Sequence, residues 1–354
     1  MAGGNEPREA LCGIPLDELC ARLAPLPRFR AAQIFKWIAR GVFDIRQMTD
    51  IPAALREELE QKFEVLAGKE EERTQCKDSL KALYSLPDGV KIEAVLLWDG
   101  KGRVTACLST QAGCPLGCVF CKTGSGGLIR DLTSGEIVEQ FLRLRSAAWE
   151  AGGTGGRGID NIVFMGMGEP LLNLPQLRRA IGIITDPQGI NFSKRRITLS
   201  TSGISAGLVD LADSGPPVRL ALSLVSADED LRQRLMPAFK GSLAQIKDAL
   251  VYFQERGGGR VTLEIVLLGG INTGKKDAGL IARFAKGLDS VVNLIPWNPV
   301  AGLTFEGHPL RKAGEQEIER FAGHLEELNL KVTKRISKGR GIMSACGQLA
   351  AGKE

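Results

Sequence analysis

Three of the eight cysteines in this 354-residue chain lie within the stretch CPLGCVFC, at Cys114, Cys118 and Cys121. The glycine and proline residues in and beside this C-x3-C-x2-C pattern indicate an exposed turn. Three thiolates on one short loop can bind three irons of a cubane iron–sulfur cluster, which leaves the fourth iron open to another ligand. A zinc site is one alternative, but zinc usually takes four ligands, and neither a second cysteine pair nor a histidine lies nearby. Three unrelated buried cysteines are the other alternative, which the turn disfavours.

The elements that must position this loop form a strand–helix alternation. Strands are predicted at 104–110, 161–167, 196–201, 219–225, 262–268 and 292–297, with a last strand at 331–337. Helices are predicted at 134–152, 173–185, 207–215, 242–257, 275–288 and 314–329. Such alternation predicts an α/β fold with a parallel sheet, open or closed as a barrel, whose active residues lie at the C-terminal ends of strands. The cysteine loop directly follows the first of these strands.

The preceding residues have a different pattern. Apolar residues recur every three or four positions over 14–66, which predicts a small helical domain. Alternating patterns at 81–86 and 91–98 then predict strands. We therefore expect an N-terminal helical domain at 1–80, a connecting β segment at 81–103, and a core at 104–354.

Composition narrows the class of protein. Hydrophobic residues make up 44% of the chain and charged residues 25%, which is ordinary for a globular protein. We expect a cytosolic protein, because no apolar run is long enough to span a membrane and no signal peptide is evident. With two histidines, a His-centred triad is not expected. Basic clusters at 193–196 and 331–340 suit phosphate backbones, although a solvated basic face is the alternative.

Several motifs carry a family resemblance. CPLGCVFC, with Phe120 before its last cysteine, resembles the radical S-adenosylmethionine superfamily. The segments VFMGMGEPLLN, SKRRITLSTSG, NLIPWNP and ACGQLAAG are similar to the RlmN/Cfr-type RNA methyltransferases, as is FRAAQIFKWI with MTDIP. The resemblance covers residues 14–352, and it implies that the helical domain at 1–80 is RNA-binding-like. It implies a partial (β/α)6 radical S-adenosylmethionine barrel, with a [4Fe–4S] cluster held by Cys114, Cys118 and Cys121.

The same resemblance implies a two-cysteine reaction. Cys346 is expected to carry a methyl group taken from one S-adenosylmethionine, and a second S-adenosylmethionine supplies the radical that activates this group. The activated carbon adds to an adenine ring. Cys107 is expected to release the product by forming a transient disulfide with Cys346, and Glu93 is expected to accept the ring proton.

Cofactor contacts are implied as well. They are expected at Gly168, Glu169, Ser200, Ser223, Leu224, Val225 and Asn298. Val225 is a departure, because the family commonly has a histidine there, and this leaves the methylated carbon open. Expected partners are 23S rRNA, tRNA and an electron donor such as flavodoxin, with no membrane contact and a monomeric enzyme.

The expected product is 2-methyladenosine, in the peptidyl-transferase centre of 23S rRNA and next to the tRNA anticodon. Methylation of carbon 8 is the alternative. Two alternatives belong to other classes of protein. One is a radical enzyme that acts on proteins or small molecules, and the other is an RNA-binding protein without catalysis. The cluster cysteines together with Cys107 and Cys346 argue against the last.

Overall fold

The computed structural model describes residues 8–152, 158–335 and 342–351. Its N-terminal part confirms the predicted helices, which are α1 (Leu16–Arg22), α2 (Arg28–Ala39) and α3 (Ala53–Lys62). A proline directly precedes each of them. The fixed φ of proline and its missing N–H suit a helix start, where that N–H would have no helical partner. Two short strands, β1 (Glu9–Ala10) and β2 (Phe63–Glu64), pair in parallel across this region.

The remaining elements form the core of the protein. The strands in chain order are β3 (Lys69–Gln75), β4 (Ser79–Ser85), β5 (Lys91–Trp98), β6 (Val104–Cys107), β7 (Gln111–Gly113), β8 (Leu128–Asp131), β9 (Asn161–Phe164), β10 (Ile197–Thr201), β11 (Arg219–Ser223), β12 (Val261–Leu267), β13 (Ser290–Pro296), β14 (Thr304–Phe305), β15 (His308–Pro309) and β16 (Val332–Lys334). The helices are α4 (Lys122–Ser125), α5 (Ser134–Glu150), α6 (Leu174–Thr185), α7 (Ser205–Ser214), α8 (Glu229–Leu235), α9 (Leu243–Glu255), α10 (Lys275–Ala285) and α11 (Glu315–Glu327).

Ten strands of the described chain form one mixed sheet, in the order β16-β13-β12-β11-β10-β9-β6-β5-β4-β3. Within this sheet, β6, β9, β10, β11, β12, β13 and β16 run parallel to one another. β3, β4 and β5 extend the sheet antiparallel from β6. The parallel part consists of βα units followed by β16, which confirms the predicted α/β fold of the radical S-adenosylmethionine type. None of the described helices has both the length and the apolar content needed to cross a membrane.

Local sequence explains where the long helix begins. Thr133 and Glu136 form a capping box at the start of α5, where each side chain accepts from the backbone N–H of the other residue. One long face of α5 is buried, with Ile137 and Phe141 fully inaccessible to solvent. Helix α5 packs against β5, β6 and α6, so it supports the strand that leads into the cysteine loop.

The structure also contains elements that the sequence patterns did not predict, among them β3, α8 and the β7–β8 hairpin. The sequence of β3, KEEERTQ, has no apolar alternation because β3 is an edge strand whose side chains are mostly exposed. Residues 69–75 and the start of β4 lie within the predicted segment 1–80 but join the large sheet. The division at 80 and 103 stays a prediction.

Candidate active site

The cysteine loop is shaped by the backbone just before it. Strand β6 ends at Cys107, three residues earlier than predicted, and the chain then forms β7, which pairs with β8. Gly113 has φ +79°, and a Cβ there would lie 2.0 Å from the carbonyl oxygen of Gly127. Cys114 N donates to that same oxygen at 2.9 Å. A glycine is therefore required where the hairpin turns into the loop.

The three loop cysteines line one cavity of about 160 Å³. Burial raises the pKa of the Cys114 thiol to about 12, and it also raises the pKa of Cys118 and Cys121. Negative charge on Cys121 would further raise the pKa of the other two thiols. Because one thiolate disfavours the next, all three ionise together only when cations compensate their charge, as metal ligation does.

No three His, Cys, Asp or Glu side chains converge on a point that could hold a single metal ion, within the ranges that the structure describes. A cubane cluster does not require such convergence, because each cysteine binds a different iron. The three thiols on the rim of one cavity suit such a cluster, and their assignment as its ligands stays a prediction.

The predicted cofactor-contact residues lie around the same cavity. Its lining includes Gly168, Glu169, Ser200, Ser223, Val225 and Asn298 together with the three cysteines. They come from the C-terminal ends of β9, β10, β11 and β13, as expected for a parallel sheet. Leu224 does not line the cavity, and its side chain is fully buried in the core.

Glu169 is held by hydrogen bonds from the neighbouring strand. Its Oε1 accepts from Thr201 Oγ1 at 2.6 Å and from Leu171 N at 3.1 Å, while Oε2 accepts from Ser202 N at 2.8 Å. Burial raises the pKa of this carboxyl group, and the hydrogen bonds oppose that shift. The carboxylate is therefore fixed at the cavity wall, where a ligand ammonium group would stabilise its charged form.

Two backbone features place these groups. Gly168 has φ +100°, and a Cβ at this residue would lie 2.5 Å from Gln111 Cβ, so only glycine lets the loop pack this closely. Val225 has φ +62°, a conformation that a β-branched residue rarely adopts. The carbonyl of Val225 is fixed by Asn272 Nδ2 at 2.9 Å, and its N–H donates to Glu264 O at 3.2 Å. Backbone strain maintained in this way is typical of ligand sites.

A second cavity, of about 460 Å³, adjoins the first and contains both of the other predicted cysteines. Cys107 lines it from the end of β6, and Cys346 lines it from the C-terminal segment. Cys346 also borders the cluster cavity, so it lies between the two. The fold thus brings together two thiols that are far apart in the sequence.

Arg335 lies beside both thiols, which sequence reasoning did not anticipate. The basic segment 331–340 was read as a surface patch, but Arg335 lines the 460 Å³ cavity. Its backbone N donates to Leu294 O at 2.9 Å, which continues the β16–β13 pairing. Thr333 in β16 is exposed, although its hydroxyl contacts Asn293 at 2.9 Å, so period-2 alternation did not mark residue 335 as facing a cavity.

The charge of Arg335 acts on these thiols. The pKa of Cys107 is raised to about 12, first by burial and then by negative charge on Cys346, whereas Arg335 acts to lower it. In turn, the pKa of Arg335 is raised, first by the charge of Cys346 and also by Glu264 and Cys107. The guanidinium group therefore favours the thiolate form of Cys107.

Glu93 does not line either of these cavities. It is 3% exposed and borders a separate cavity of about 340 Å³ with Lys81, Lys122 and Gln348. Its Oε1 lies 2.9 Å from Lys81 Nζ. Its Oε2 accepts from the backbone N–H groups of residues 350 and 351. The expected role of Glu93 as an acceptor of the ring proton stays a prediction.

The predicted basic clusters lie in different places. Residues 194–196 form an exposed 3-10 turn directly before β10. This turn therefore lies at the N-terminal ends of the parallel strands, whereas the cluster loop lies at their C-terminal ends. Lys334 is half-exposed and forms a 2.5 Å ion pair with Glu319. Residues 336–340 lie outside the described residues.

Comparison with known families agrees with this architecture. A family model described as "Radical SAM superfamily" matches residues 108–278, and one described as "Ribosomal RNA large subunit methyltransferase N-terminal domain" matches residues 16–65. The crystal structure of a radical SAM methyltransferase from Sphaerobacter thermophilus is similar, with a TM-score of 0.91 and 38% identity, covering 97% of this chain and 99% of that chain. The fold is therefore that of a radical S-adenosylmethionine enzyme.

Relatives described as "Probable dual-specificity RNA methyltransferase RlmN" extend the match to nearly the full length. The Treponema denticola protein is 47% identical, over 97% of this chain and 96% of the relative. The Moorella thermoacetica protein is 44% identical, over 94% of each. This chain belongs to the RlmN family of radical S-adenosylmethionine RNA methyltransferases.

The superfamily implies a [4Fe–4S] cluster and S-adenosylmethionine, and the residues present fit both. Asn298 provides the most direct test, because its Oδ1 is buried in the cavity wall without a hydrogen-bond partner in the described structure. A buried acceptor in this position requires a donor. Ammonium or hydroxyl groups of S-adenosylmethionine would supply one, beside the Glu169 carboxylate and the Ser200–Ser223 hydroxyl pair, which are 3.2 Å apart.

Proposed function

We propose that this enzyme methylates carbon 2 of adenosine in the peptidyl-transferase centre of 23S rRNA, and of the adenosine 3′ of the anticodon in tRNA. The methyl group passes through an S-methylcysteine at Cys346. The observation that carries the proposal is the position of Cys346 between the cavity of the cluster cysteines and the cavity that holds Cys107. The names of the relatives, dual-specificity RNA methyltransferases, support two RNA substrates.

The chain's own residues would divide the work as follows. Cys114, Cys118 and Cys121 would hold the cluster, which supplies the electron that cleaves S-adenosylmethionine. Glu169 and Asn298 would bind the polar groups of S-adenosylmethionine in the adjoining cavity. One molecule would methylate Cys346 and a second would activate that methyl group, so two are consumed per product. We include a flavodoxin-like electron donor and a monomeric enzyme in the proposal.

Cys107 would act last. After the methyl carbon has joined the ring, the adduct would lose the proton of the ring carbon and return one electron to the cluster. The Cys107 thiolate would then attack the Cys346 sulfur, forming a disulfide and breaking the bond from that sulfur to carbon. The electron pair of that bond would go to the departing carbon, which takes up a proton and becomes the methyl group. Arg335 would favour the thiolate, which the buried position of Cys107 opposes. The disulfide is then reduced before the next turnover.

The test compares the wild-type enzyme with Cys346→Ala and Cys107→Ala. Wild type should yield 2-methyladenosine by nucleoside mass spectrometry, with one S-adenosylhomocysteine and one 5′-deoxyadenosine per product. Cys346→Ala should show no product and no S-methylcysteine. Cys107→Ala should keep Cys346 methylation but retain RNA covalently, as a slow band on a denaturing gel that nuclease removes.

Two results would contradict the proposal. Turnover in Cys346→Ala would rule out Cys346 as the methyl carrier. Turnover at the wild-type rate in Cys107→Ala would show that Cys107 is only a buried strand residue. 8-Methyladenosine in place of 2-methyladenosine would assign the other ring carbon.

A further inference from the structure

We propose that Glu93 is a positioning residue, which clamps the segment 344–351 and thereby sets the location of Cys346. This role rests on the proposed function of Cys346, and it replaces the expectation that Glu93 takes the proton from the adenine ring. The inference comes from the contacts of both carboxylate oxygens of Glu93.

Both oxygens of Glu93 are engaged. Oε2 accepts from Ala350 N at 2.7 Å and from Ala351 N at 3.1 Å. Ala351 has φ +50°, so these successive N–H groups converge on one oxygen, an arrangement that binds anions. Oε1 forms the 2.9 Å ion pair with Lys81, and the side chain of Glu93 is only 4% exposed.

Uncharged contacts hold the rest of the segment against the cluster loop. Lys122 N donates to Gly347 O at 2.8 Å, and Thr123 Oγ1 donates to Leu349 O at 2.7 Å. Asn298 Nδ2 donates to Cys346 O at 3.2 Å. Since residues 122 and 123 directly follow Cys121, these contacts set Cys346 relative to the cluster. Glu93 adds charge-assisted hydrogen bonds at the far end of the segment, and such bonds are stronger than neutral ones.

The location of Glu93 argues against proton transfer from the ring. Cys346 lines two cavities, and Glu93 lines neither. The carboxylate instead borders the third cavity, with Lys81 and Gln348. An acceptor for the ring proton must come within hydrogen-bond reach of the ring while the ring is attached at Cys346. Because the Glu93 carboxylate binds the backbone N–H groups of residues 350 and 351, it acts on the reaction by holding the segment that carries Cys346.

Two conservative substitutions separate the roles. Glu93→Gln keeps an oxygen at the same reach for Ala350 N and Ala351 N, but it cannot take up a proton at neutral pH. Glu93→Asp keeps a carboxylate but is one methylene shorter, so it withdraws from those N–H groups. Both are made in a Lys81→Met background, which removes an ammonium group that the Gln amide would face. Lys81→Met alone is the matched control.

The first readout needs neither cluster nor turnover. In cluster-free protein, the alkylation rate of Cys346 by iodoacetamide is measured by peptide mass spectrometry, with Cys20 as the internal reference. Positioning predicts that Glu93→Asp speeds alkylation of Cys346 about tenfold, as expected for loss of charge-assisted hydrogen bonds. Glu93→Gln should stay within about threefold of the Lys81→Met control. Equal rates in the Asp and Gln variants would overturn the proposal.

The second readout uses the reconstituted enzyme. Positioning predicts that Glu93→Asp loses S-methylcysteine at Cys346, whereas Glu93→Gln keeps both S-methylcysteine and RNA product. A proton-acceptor role predicts the reverse order, with normal S-methylcysteine in both variants and a covalent RNA adduct accumulating in Glu93→Gln. That pattern would overturn the clamp. Failure of the proposed function is distinguishable, because it would remove S-methylcysteine from the Lys81→Met control and wild type while leaving the alkylation comparison intact.

Discussion

Replacing Arg335 with methionine should slow the reaction of Cys107 with alkylating reagents. Arg335 lines the cavity of Cys107 and Cys346, and its charge lowers the pKa of Cys107 against the effect of burial. Methionine has a similar unbranched stem but no charge. Removing the guanidinium group therefore removes one of the effects that oppose burial, and the pKa of Cys107 should rise.

The size of the effect follows from the ionised fraction. With a pKa of about 12, about one Cys107 thiol in a thousand is ionised at pH 9, and the fraction rises tenfold per pH unit below the pKa. A charge within a few ångströms typically shifts a pKa by about 1 to 3 units. The lower figure, about 1.4 kcal/mol, already predicts tenfold slower alkylation at any pH below 11.

The assay is alkylation of cluster-free protein by iodoacetamide between pH 8 and 9.5, followed at the Cys107 peptide by mass spectrometry. Plots of log rate against pH should be parallel, with Arg335→Met displaced by about one pH unit toward higher pH. Arg335→Lys retains the charge and should stay close to wild type. Cys12, whose pKa burial also raises and on which the charges of Glu139, Arg143 and Glu136 act, reports whether the fold is intact.

Two outcomes carry different meanings. Equal Cys107 rates in wild type and Arg335→Met, with Cys12 unchanged, would refute the electrostatic role of Arg335. Faster alkylation of both Cys107 and Cys12 would show that the variant is partly unfolded.

Three further predictions concern the cluster cavity. Wild type reconstituted without oxygen should hold four irons and four sulfides, and Cys118→Ala should bind less iron and lose S-adenosylmethionine cleavage; full iron in active Cys118→Ala would contradict the ligand assignment. Gly168→Ala should lose about 2 kcal/mol or more of unfolding free energy in urea titrations, because its Cβ would lie 2.5 Å from that of Gln111; an unchanged midpoint would contradict this. Asn298→Ala should weaken S-adenosylmethionine binding about tenfold in calorimetry at unchanged thermal stability, and equal affinity would show that its unpartnered Oδ1 is not a contact.

Most of the secondary structure and the cysteine loop could be predicted from local sequence, because they depend on interactions between residues that are close in the chain. The apolar periods of 3.6 and 2 residues predicted most helices and strands. The prolines before residues 16, 28 and 53 are a further local signal, which the structure shows at the helix starts. The spacing of Cys114, Cys118 and Cys121 indicated one donor set, because three side chains within eight residues of a turn must lie close together. Boundaries were less accurate where a tertiary contact ended a strand, as at Cys107.

Other features depended on contacts between distant parts of the chain, which only the tertiary structure decides. β3 is charged and has no strand-like pattern, yet pairing with β4 makes it an edge strand. Arg335 belongs to a basic run, but β16 pairs with β13 in a register that turns it toward Cys107 and Cys346. Glu93 was expected, from the family resemblance, to accept the ring proton, but only the folded structure shows that its carboxylate accepts from the backbone of the C-terminal segment. Sequence spacing indicates which groups could react, whereas strand register and packing determine which groups meet.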